Sequence, residues 1–296
     1  MPAGRKHTVR ATAGGALLVA PTLLLGGCAQ GVLDPRGPIA AAQRTLLFNS
    51  LGIMLAIVVP TMLATLAVAF WYRASNPRGR YLPDWEYSGR IEMIVWSIPA
   101  MTVLLVGGIG WISAHELDPG RPLESPARPL AVQVVALDWK WLFIYPEQQI
   151  ASVNQLTIPA AIPINFQLTS SSVMNSFFVP QLGSQIYTMS GMVTRLALQA
   201  DAPGTLVGRS AQFSGDGFSD MHFLVNALPP DQFASWADGI RGKGPALDRQ
   251  AYEELARPSQ AVTPFTYGSV APDLFAKIAT LAIPPGGSRP SPNTTP

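Results

Sequence analysis

Two long runs without a charged side chain, residues 45–72 and 93–114, dominate the hydropathy pattern of the chain. Each run is longer than the roughly 20 apolar residues that an α-helix needs to cross a bilayer. Pro60 and Pro99 lie inside the runs, as membrane helices tolerate when neighbouring helices cover the freed carbonyl groups. The pattern therefore predicts a membrane α-helical hairpin whose transmembrane helices occupy residues 45–72 and 91–114.

The pattern changes after a linker at 115–129, because short hydrophobic segments now alternate with turn sequences such as Ala-Pro-Gly. Several short strands at this spacing indicate a β-sandwich, which we place at residues 130–228. The predicted strands are Ala131–Leu137, Trp141–Tyr145, Pro163–Leu168, Met192–Leu198 and Met221–Ala227.

The last part of the chain is expected to be a helical extension at 229–283, with helices at 231–256 and 272–283. The end of the chain, PPGGSRPSPNTTP at 284–296, has the composition of a disordered tail.

The beginning of the chain resembles a bacterial lipoprotein signal peptide at residues 1–27. A basic start is followed by an apolar stretch, and Leu25-Gly26-Gly27 precedes Cys28, the only cysteine. We expect Cys28 to carry lipid and to begin a short periplasmic segment, residues 28–44. The alternative is an accidental cysteine after an ordinary cleavage site.

Charge adds an orientation to this picture. Charged residues make up 13% of the chain and the net charge is +2, so nucleic-acid binding is excluded as a function class. The segment between the spans, residues 73–90, carries four arginines against Asp84 and Glu86. An excess of arginine is typical of cytoplasmic loops, and both outer ends would then be periplasmic. We therefore expect a multi-pass protein of the bacterial inner membrane.

The stretch GRSAQFSGDGFSDMHF at 208–223 has the spacing of a metal loop, Ser210-x3-Ser214-x3-Phe218-x2-Met221. With ALDWKWLFIYP at 136–146, SSVMNSFFVPQLG at 171–183 and the hairpin, it resembles subunit II of the haem-copper respiratory oxidases. The resemblance runs from about Cys28 to about residue 283.

In the cytochrome c oxidases of that family, the exported domain is a cupredoxin-like sandwich that holds a dinuclear copper centre. Carried over to this chain, the copper ligands correspond to Asn175, Ser210, the Gln212 carbonyl, Ser214, Phe218 and Met221. Serine cannot replace the bridging thiolates that this centre requires, so we expect no copper in this chain. We expect Asn175 and Phe218 to fill the vacated space by packing.

The family branch without this copper is the quinol oxidases. DWKWLFIYPEQ, VMNSFFVPQLGSQIY and SGDGFSDMHF are similar to subunit II of the cytochrome bo-type ubiquinol oxidases. The resemblance implies a non-catalytic subunit of a proton-pumping ubiquinol oxidase with no cytochrome c partner. It implies that subunit I holds the haems, the active-site copper and the ubiquinol pocket, and that subunits III and IV are further partners.

Three side chains outside the loop are candidates for function. Trp139 and Trp141 match an aromatic pair near the point where electrons enter cytochrome c oxidases. We interpret them here as packing at the subunit interface, with Lys140 paired there. Glu92 matches a family carboxylate near the cytoplasmic mouth of a proton-input channel, which implies a role in proton uptake. An interfacial residue without that role is the alternative.

The competing function is a membrane-tethered, cupredoxin-like copper-binding protein. Such a carrier would need a ligand set of Cys, His and Met in the sandwich. The exported domain offers one histidine, His222, and no cysteine. The same missing ligands argue against a subunit of a cytochrome c oxidase.

Overall fold

The computed structural model describes residues 31–80 and 82–284. The signal peptide and lipid site predicted around Cys28 lie outside the described residues, as does the predicted tail from residue 285 onwards.

Two long helices form the membrane hairpin, α1 at Pro38–Trp71 and α2 at Gly89–Glu116. Their 34 and 28 residues correspond to about 50 Å and 42 Å at 1.5 Å per residue, more than the hydrocarbon core of a bilayer. Both are long and apolar enough to cross a membrane, and no residue of their most apolar windows is buried by the rest of the chain. The first helix begins at Pro38, earlier than residue 45, because Pro38 stands at a favourable first helical position.

The domain that follows the hairpin contains strands that form two facing sheets. Six strands form one sheet in the order β12-β3-β2-β1-β5-β8, and five form the other in the order β4-β10-β9-β6-β7. The strands are β1 Leu130–Leu137, β2 Lys140–Tyr145, β3 Ile150–Val153, β4 Gln155–Pro159, β5 Ile164–Ser170, β6 Asn175–Val179, β7 Gly183–Thr188, β8 Thr194–Leu198, β9 Gly204–Ser210, β10 His222–Leu228, β11 Ala246–Leu247, β12 Phe265–Tyr267 and β13 Ser269–Val270. The pairs β1–β5 and β4–β10 are parallel, and β11 pairs with β13 in a small separate sheet.

Alternating side chains build the core between the two sheets. In β10, Phe223, Val225 and Ala227 are buried while His222 is exposed, as the period of two predicts. The centre is aromatic: the Phe177 and Phe223 rings stack with centroids 5.3 Å apart, and Trp141 meets both edge-on.

A second core covers the outer face of the six-stranded sheet. It joins apolar side chains of β1, β2 and β3 to the C-terminal segment, through residues such as Tyr252, Leu255 and Phe275. The C-terminal helices are α3 Pro230–Ile240, α4 Arg249–Leu255 and α5 Leu274–Ala279.

The predicted architecture is confirmed: a membrane α-helical hairpin followed by an all-β cupredoxin-like sandwich with C-terminal helices. The single helix predicted at 231–256 is wrong, since the chain leaves α3 and forms β11 before α4 begins. Gly242 and Gly244 cause this break, because both have positive φ angles, 71° and 83°, that a helix does not contain.

The segment before the membrane also packs on the sandwich. The backbone amides of Arg36 and Ala40 donate to the carbonyls of Gln181 and Leu182, at 2.7 and 3.2 Å. The Gln43 side chain donates to Ser184 Oγ at 3.0 Å and accepts from its backbone amide at 3.1 Å. The domain is therefore attached to the hairpin twice, at the start of α1 and through the chain that follows α2.

Candidate functional site

The loop of interest joins β9 to β10 at one end of the five-stranded sheet. Ser210 is the last residue of β9, Met221 directly precedes β10, and Asn175 begins the neighbouring strand β6. The Ser210 amide donates to the Met221 carbonyl at 3.0 Å, which closes the loop at its base. The sheet order thus brings together three residues that are up to 46 positions apart (221 − 175 = 46).

Polar groups at the base of this loop hydrogen-bond to one another. The Ser210 hydroxyl lies 3.1 Å from Asn175 Oδ1 and 3.1 Å from the Gln212 carbonyl oxygen. Asn175 Nδ2 donates to the Val173 carbonyl at 3.3 Å. Asn175 and Ser210 are 1% and 5% exposed, so the partners that buried polar groups require come from the chain itself.

The remaining positions of the spacing template make contacts of their own. Ser214 Oγ lies 3.8 Å from the sulfur of the buried Met221. Phe218 begins a short 3-10 turn, Phe218–Asp220, and meets the ring of Phe213 edge-on at 5.6 Å. Phe213 is 72% exposed, so this pair lies on the surface of the domain.

The donor chemistry of this cluster does not suit a dinuclear copper centre. Its donor atoms are two hydroxyls, one amide and backbone carbonyls, with a single thioether, and copper of this kind needs bridging thiolates. Among residues 31–80 and 82–284, no group of three or more His, Cys, Asp or Glu side chains is placed to hold a metal ion. His222 is exposed while its neighbour Met221 is buried, so the histidine does not supply a replacement ligand.

Trp139 holds the loop from outside, a contact that the sequence analysis missed. Its indole Nε1 donates to the Ser214 carbonyl at 3.1 Å. A Cβ atom at Gly217 would lie 2.5 Å from the indole ring, so only glycine allows this approach. The same Cβ atom would lie 2.8 Å from Cγ of Gln260 in the C-terminal segment. In the sequence, the two glycines of Ser-Gly-Asp-Gly could have indicated this contact, because a loop that packs closely against a large ring needs small residues.

Trp141 differs from Trp139 in position. It is completely buried between the two sheets, where its ring centroid is 5.5 Å from that of Phe177 and 5.6 Å from that of Phe223. The interpretation of both indoles as packing at a subunit interface is therefore wrong for Trp141, because β2 turns this side chain into the core.

Lys140 anchors the C-terminal segment. Its ammonium group donates to the Arg257 carbonyl at 2.7 Å and to the Ser259 hydroxyl, and the residue is 1% exposed. Burial lowers the pKa of Lys140, and the nearby Asp138 carboxylate opposes this shift. The expected pairing of Lys140 at a subunit interface is thus replaced by contacts within the chain.

Glu92 lies apart from this cluster, in the first turn of α2. Its side chain is exposed, and Trp96 Nε1, one helical turn later, donates to Glu92 Oε2 at 3.1 Å. The first turn of a helix favours a negative charge, because the backbone amides there point towards it.

Known proteins resemble the chain over most of its length. The profile of the family described as "Cytochrome C oxidase subunit II, periplasmic domain" matches residues 142–228, and that of "COX Aromatic Rich Motif" matches 241–285. The chain is 48% identical over 264 residues to "Cytochrome bo(3) ubiquinol oxidase subunit 2" of Pseudomonas aeruginosa, which covers 89% of this chain and 80% of that protein.

Two further relatives come from other bacteria. "Ubiquinol oxidase subunit 2" of Acetobacter aceti is 49% identical over 258 residues, which cover 86% of this chain and 84% of that protein. "Quinol oxidase subunit 2" of Bacillus anthracis is 37% identical over 239 residues, which cover 80% and 82% of the two chains.

Proposed function

Because the chain belongs to the ubiquinol oxidase subunit 2 family, we propose that it is the non-catalytic subunit II of a proton-pumping terminal ubiquinol oxidase whose copper site is lost. Ubiquinol would deliver its electrons directly to subunit I, which would hold the haems and the active-site copper. The hydrogen-bonded cluster of Asn175, Ser210 and the Gln212 carbonyl carries this proposal, since it fills positions where the related oxidases bind copper.

Metal analysis of the purified oxidase tests the proposed loss of copper. A chain with Asn175→His, Ser210→Cys, Ser214→Cys and Phe218→His restores the ligand types of the copper-binding relatives. We expect this variant to gain copper and a visible absorption band relative to the unchanged oxidase, with copper normalised to haem. The proposal would be contradicted if the unchanged oxidase held more copper than subunit I accounts for, and if that extra copper were lost when this chain is removed.

The role that remains for the exported domain is structural. Trp139 and the C-terminal segment brace the loop, and the packing of α1 on β7 fixes the domain over the hairpin. A domain held in this way can cap subunit I on the periplasmic side and support its helices. Subunits III and IV would complete the complex, and cytochrome c would have no part in it.

The orientation of the chain follows from charge. Three arginines between α1 and α2, with Arg90 in the first turn of α2, favour a cytoplasmic position for the connecting segment, which would leave the sandwich in the periplasm of a bacterial inner membrane. Lipid on Cys28 would add a third attachment on the periplasmic side. Mass analysis of the mature N-terminus tests the lipid, and Cys28→Ala should leave the oxidase in the membrane because two helices hold it far more strongly than one acyl chain.

Glu92 would assist proton uptake from the cytoplasm. Two observations support this role: the charge pattern favours a cytoplasmic position for this end of α2, and the Glu92 side chain is exposed there with Trp96 Nε1 as donor to its carboxylate.

A further inference from the structure

A cavity of about 790 Å³ opens where α1 ends and α2 begins. Its walls come from the last turns of α1, the connecting segment and the first turn of α2. The residues that define its chemistry are Val68, Tyr72, Arg73, Arg80, Leu82 and Trp85. None of the features discussed above uses this cavity.

The charge around the cavity is positive and uncompensated. Arg73 and Arg80 line it, whereas none of its lining residues within 31–80 and 82–284 is an aspartate or a glutamate. Neither arginine takes part in an ion pair among residues 31–80 and 82–284. Arg73 Nε donates to Ser75 Oγ at 2.9 Å and its guanidinium lies over the Phe70 ring at 4.0 Å, and neither contact neutralises its charge. Such a pair of guanidinium groups suits a phosphate.

The rest of the wall is apolar or aromatic. Val68, Leu82 and Ile91 provide aliphatic surface, and Tyr72 and Trp85 provide rings of the kind that concentrate at the headgroup level of a bilayer. This apolar surface would not contribute to the binding of a free inorganic anion, because such an anion has no apolar part to bury. A phospholipid has both parts, a phosphate for the arginines and acyl chains for the aliphatic wall.

Local hydrogen bonds hold the cavity open in this shape. The Asn76 side chain donates to the Trp71 carbonyl and accepts from the Arg78 amide at 3.2 Å, so the connecting segment folds back on the end of α1. The Tyr72 amide continues the helical pattern with a bond to the Val68 carbonyl at 2.9 Å. Arg73 therefore begins an ordered turn, and Arg80 directly follows Gly79, whose amide donates to the Asn76 carbonyl at 3.3 Å.

We propose that this cavity binds the headgroup of one anionic phospholipid, with its phosphate between Arg73 and Arg80 and its acyl chains against Val68, Leu82 and Ile91. The inference requires only that the hairpin lies in a membrane. It does not depend on the absence of copper or on the direction in which the hairpin is inserted.

The test uses the complete oxidase, purified through a tag on this chain and delipidated in detergent. Phosphatidylglycerol and phosphatidylcholine are titrated separately, and bound lipid per complex is measured by native mass spectrometry. The variant R73Q/R80Q removes both charges at nearly constant length. R78Q is the matched control, since Arg78 lies in the same turn, does not line the cavity, and holds the turn through its backbone amide.

We expect phosphatidylglycerol to bind about fivefold more weakly for each arginine removed, and so about 25-fold more weakly to R73Q/R80Q. R78Q should bind as the unchanged oxidase does, and phosphatidylcholine binding should change little in either variant. Equal binding of phosphatidylglycerol to R73Q/R80Q and R78Q would overturn the proposal. This is also the result expected if another subunit, and not a lipid, fills the cavity.

Two further measurements identify the ligand and protect the test against failed assembly. Leu82→Gln should weaken phosphatidylglycerol binding, because it removes apolar wall. Displacement of the lipid by inorganic phosphate at similar concentration would instead show a free-anion site and overturn the lipid assignment. If the double variant assembles poorly, the single variant R80Q, scored per assembled complex, should still show about a fivefold weaker affinity.

Discussion

The sandwich and the hairpin bury their side chains in opposite ways. In the sandwich, Trp141, Phe143 and Phe177 are completely buried, and a second core covers the outer face of one sheet. In the hairpin, Trp96 and Leu104 are 73% and 76% exposed, and no residue of the most apolar windows is buried. The sandwich therefore draws its stability from its own chain, whereas the apolar side chains of the hairpin gain almost no packing from it.

Trp141→Ala tests whether the core of the sandwich determines its stability, and it should have the largest effect on the unfolding free energy. Removing this buried indole leaves a cavity beside Phe177 and Phe223, and we expect a loss of about 3–5 kcal/mol in the unfolding free energy. Urea unfolding of the exported domain, residues 117–296, measures it. Phe213→Ala is the control, because that ring is 72% exposed. A similar loss in both variants would mean that burial does not determine the stability of this domain.

Gly208→Ala should have the next largest effect. A Cβ atom there would lie 2.1 Å from the ring of the buried Phe223, and overpacking of this kind costs about 1–3 kcal/mol. Gly204→Ala, in the same strand, meets nothing within 4 Å and should change the unfolding free energy by less than about 0.5 kcal/mol. Equal stability of the two variants would show that the Phe223 ring moves aside.

Gly107→Ala extends the same substitution to the hairpin. A Cβ atom at this glycine of α2 would meet no atom of the chain within 4 Å, so contacts within the chain predict no effect on the yield of assembled oxidase. A reduced yield of assembled oxidase would sharpen the comparison, since it would locate a close contact with another subunit.

Ser210→Ala tests whether hydrogen bonds stabilise the loop between β9 and β10. It leaves the buried Asn175 Oδ1 without its donor, and we expect a loss of about 1 kcal/mol in the unfolding free energy of the exported domain. Ser219→Ala, on the exposed part of the same loop, should have no measurable effect. If Ser210→Ala is equally neutral, the cluster does not hold the loop.

Glu92→Gln should give a small effect, and on turnover rather than on stability. The amide keeps the shape of the side chain but cannot titrate, so we expect oxygen consumption with ubiquinol to fall about two- to threefold, under about 1 kcal/mol of activation free energy. Glu92→Asp should be milder, and Glu86→Gln in the connecting segment is the charge-matched control. Normal turnover per haem in Glu92→Gln, with less assembled complex, would leave Glu92 only a structural role.

The sequence predicted the hairpin well, because an uncharged run of this length has few other structures available. It predicted strands where β-branched and aromatic residues are dense, as in β1 and β2. It missed the other strands of the two sheets, β3, β4, β6, β7, β9 and β12, and in β6 and β9 the residues Asn175, Ser176 and Gly204 are of types that favour turns. Pairing with neighbouring strands overrides that local preference.

The contacts within the candidate site could not be predicted from the sequence. The spacing template identified Ser210 and Met221, and the sheet order explains why they meet. The Trp139 contact with Ser214 joins residues 75 positions apart, and the Lys140 contact with Arg257 joins residues 117 positions apart. Local sequence patterns carry no information on such pairs, which depend on how the sheets and the C-terminal segment fold over one another.

The packing of α1 on β7 has a consequence for the time course of synthesis. Gln43 and Ser184 are 141 positions apart, so the ribosome makes the start of α1 long before its docking site exists. At typical bacterial elongation rates of about 5–20 residues per second, the interval is about 7–28 s. During that time the segment from Arg36 to Gln43 remains at the membrane surface without its partner strand. It is therefore accessible to proteases and chaperones. Docking of α1 is therefore a late step in the biogenesis of this subunit.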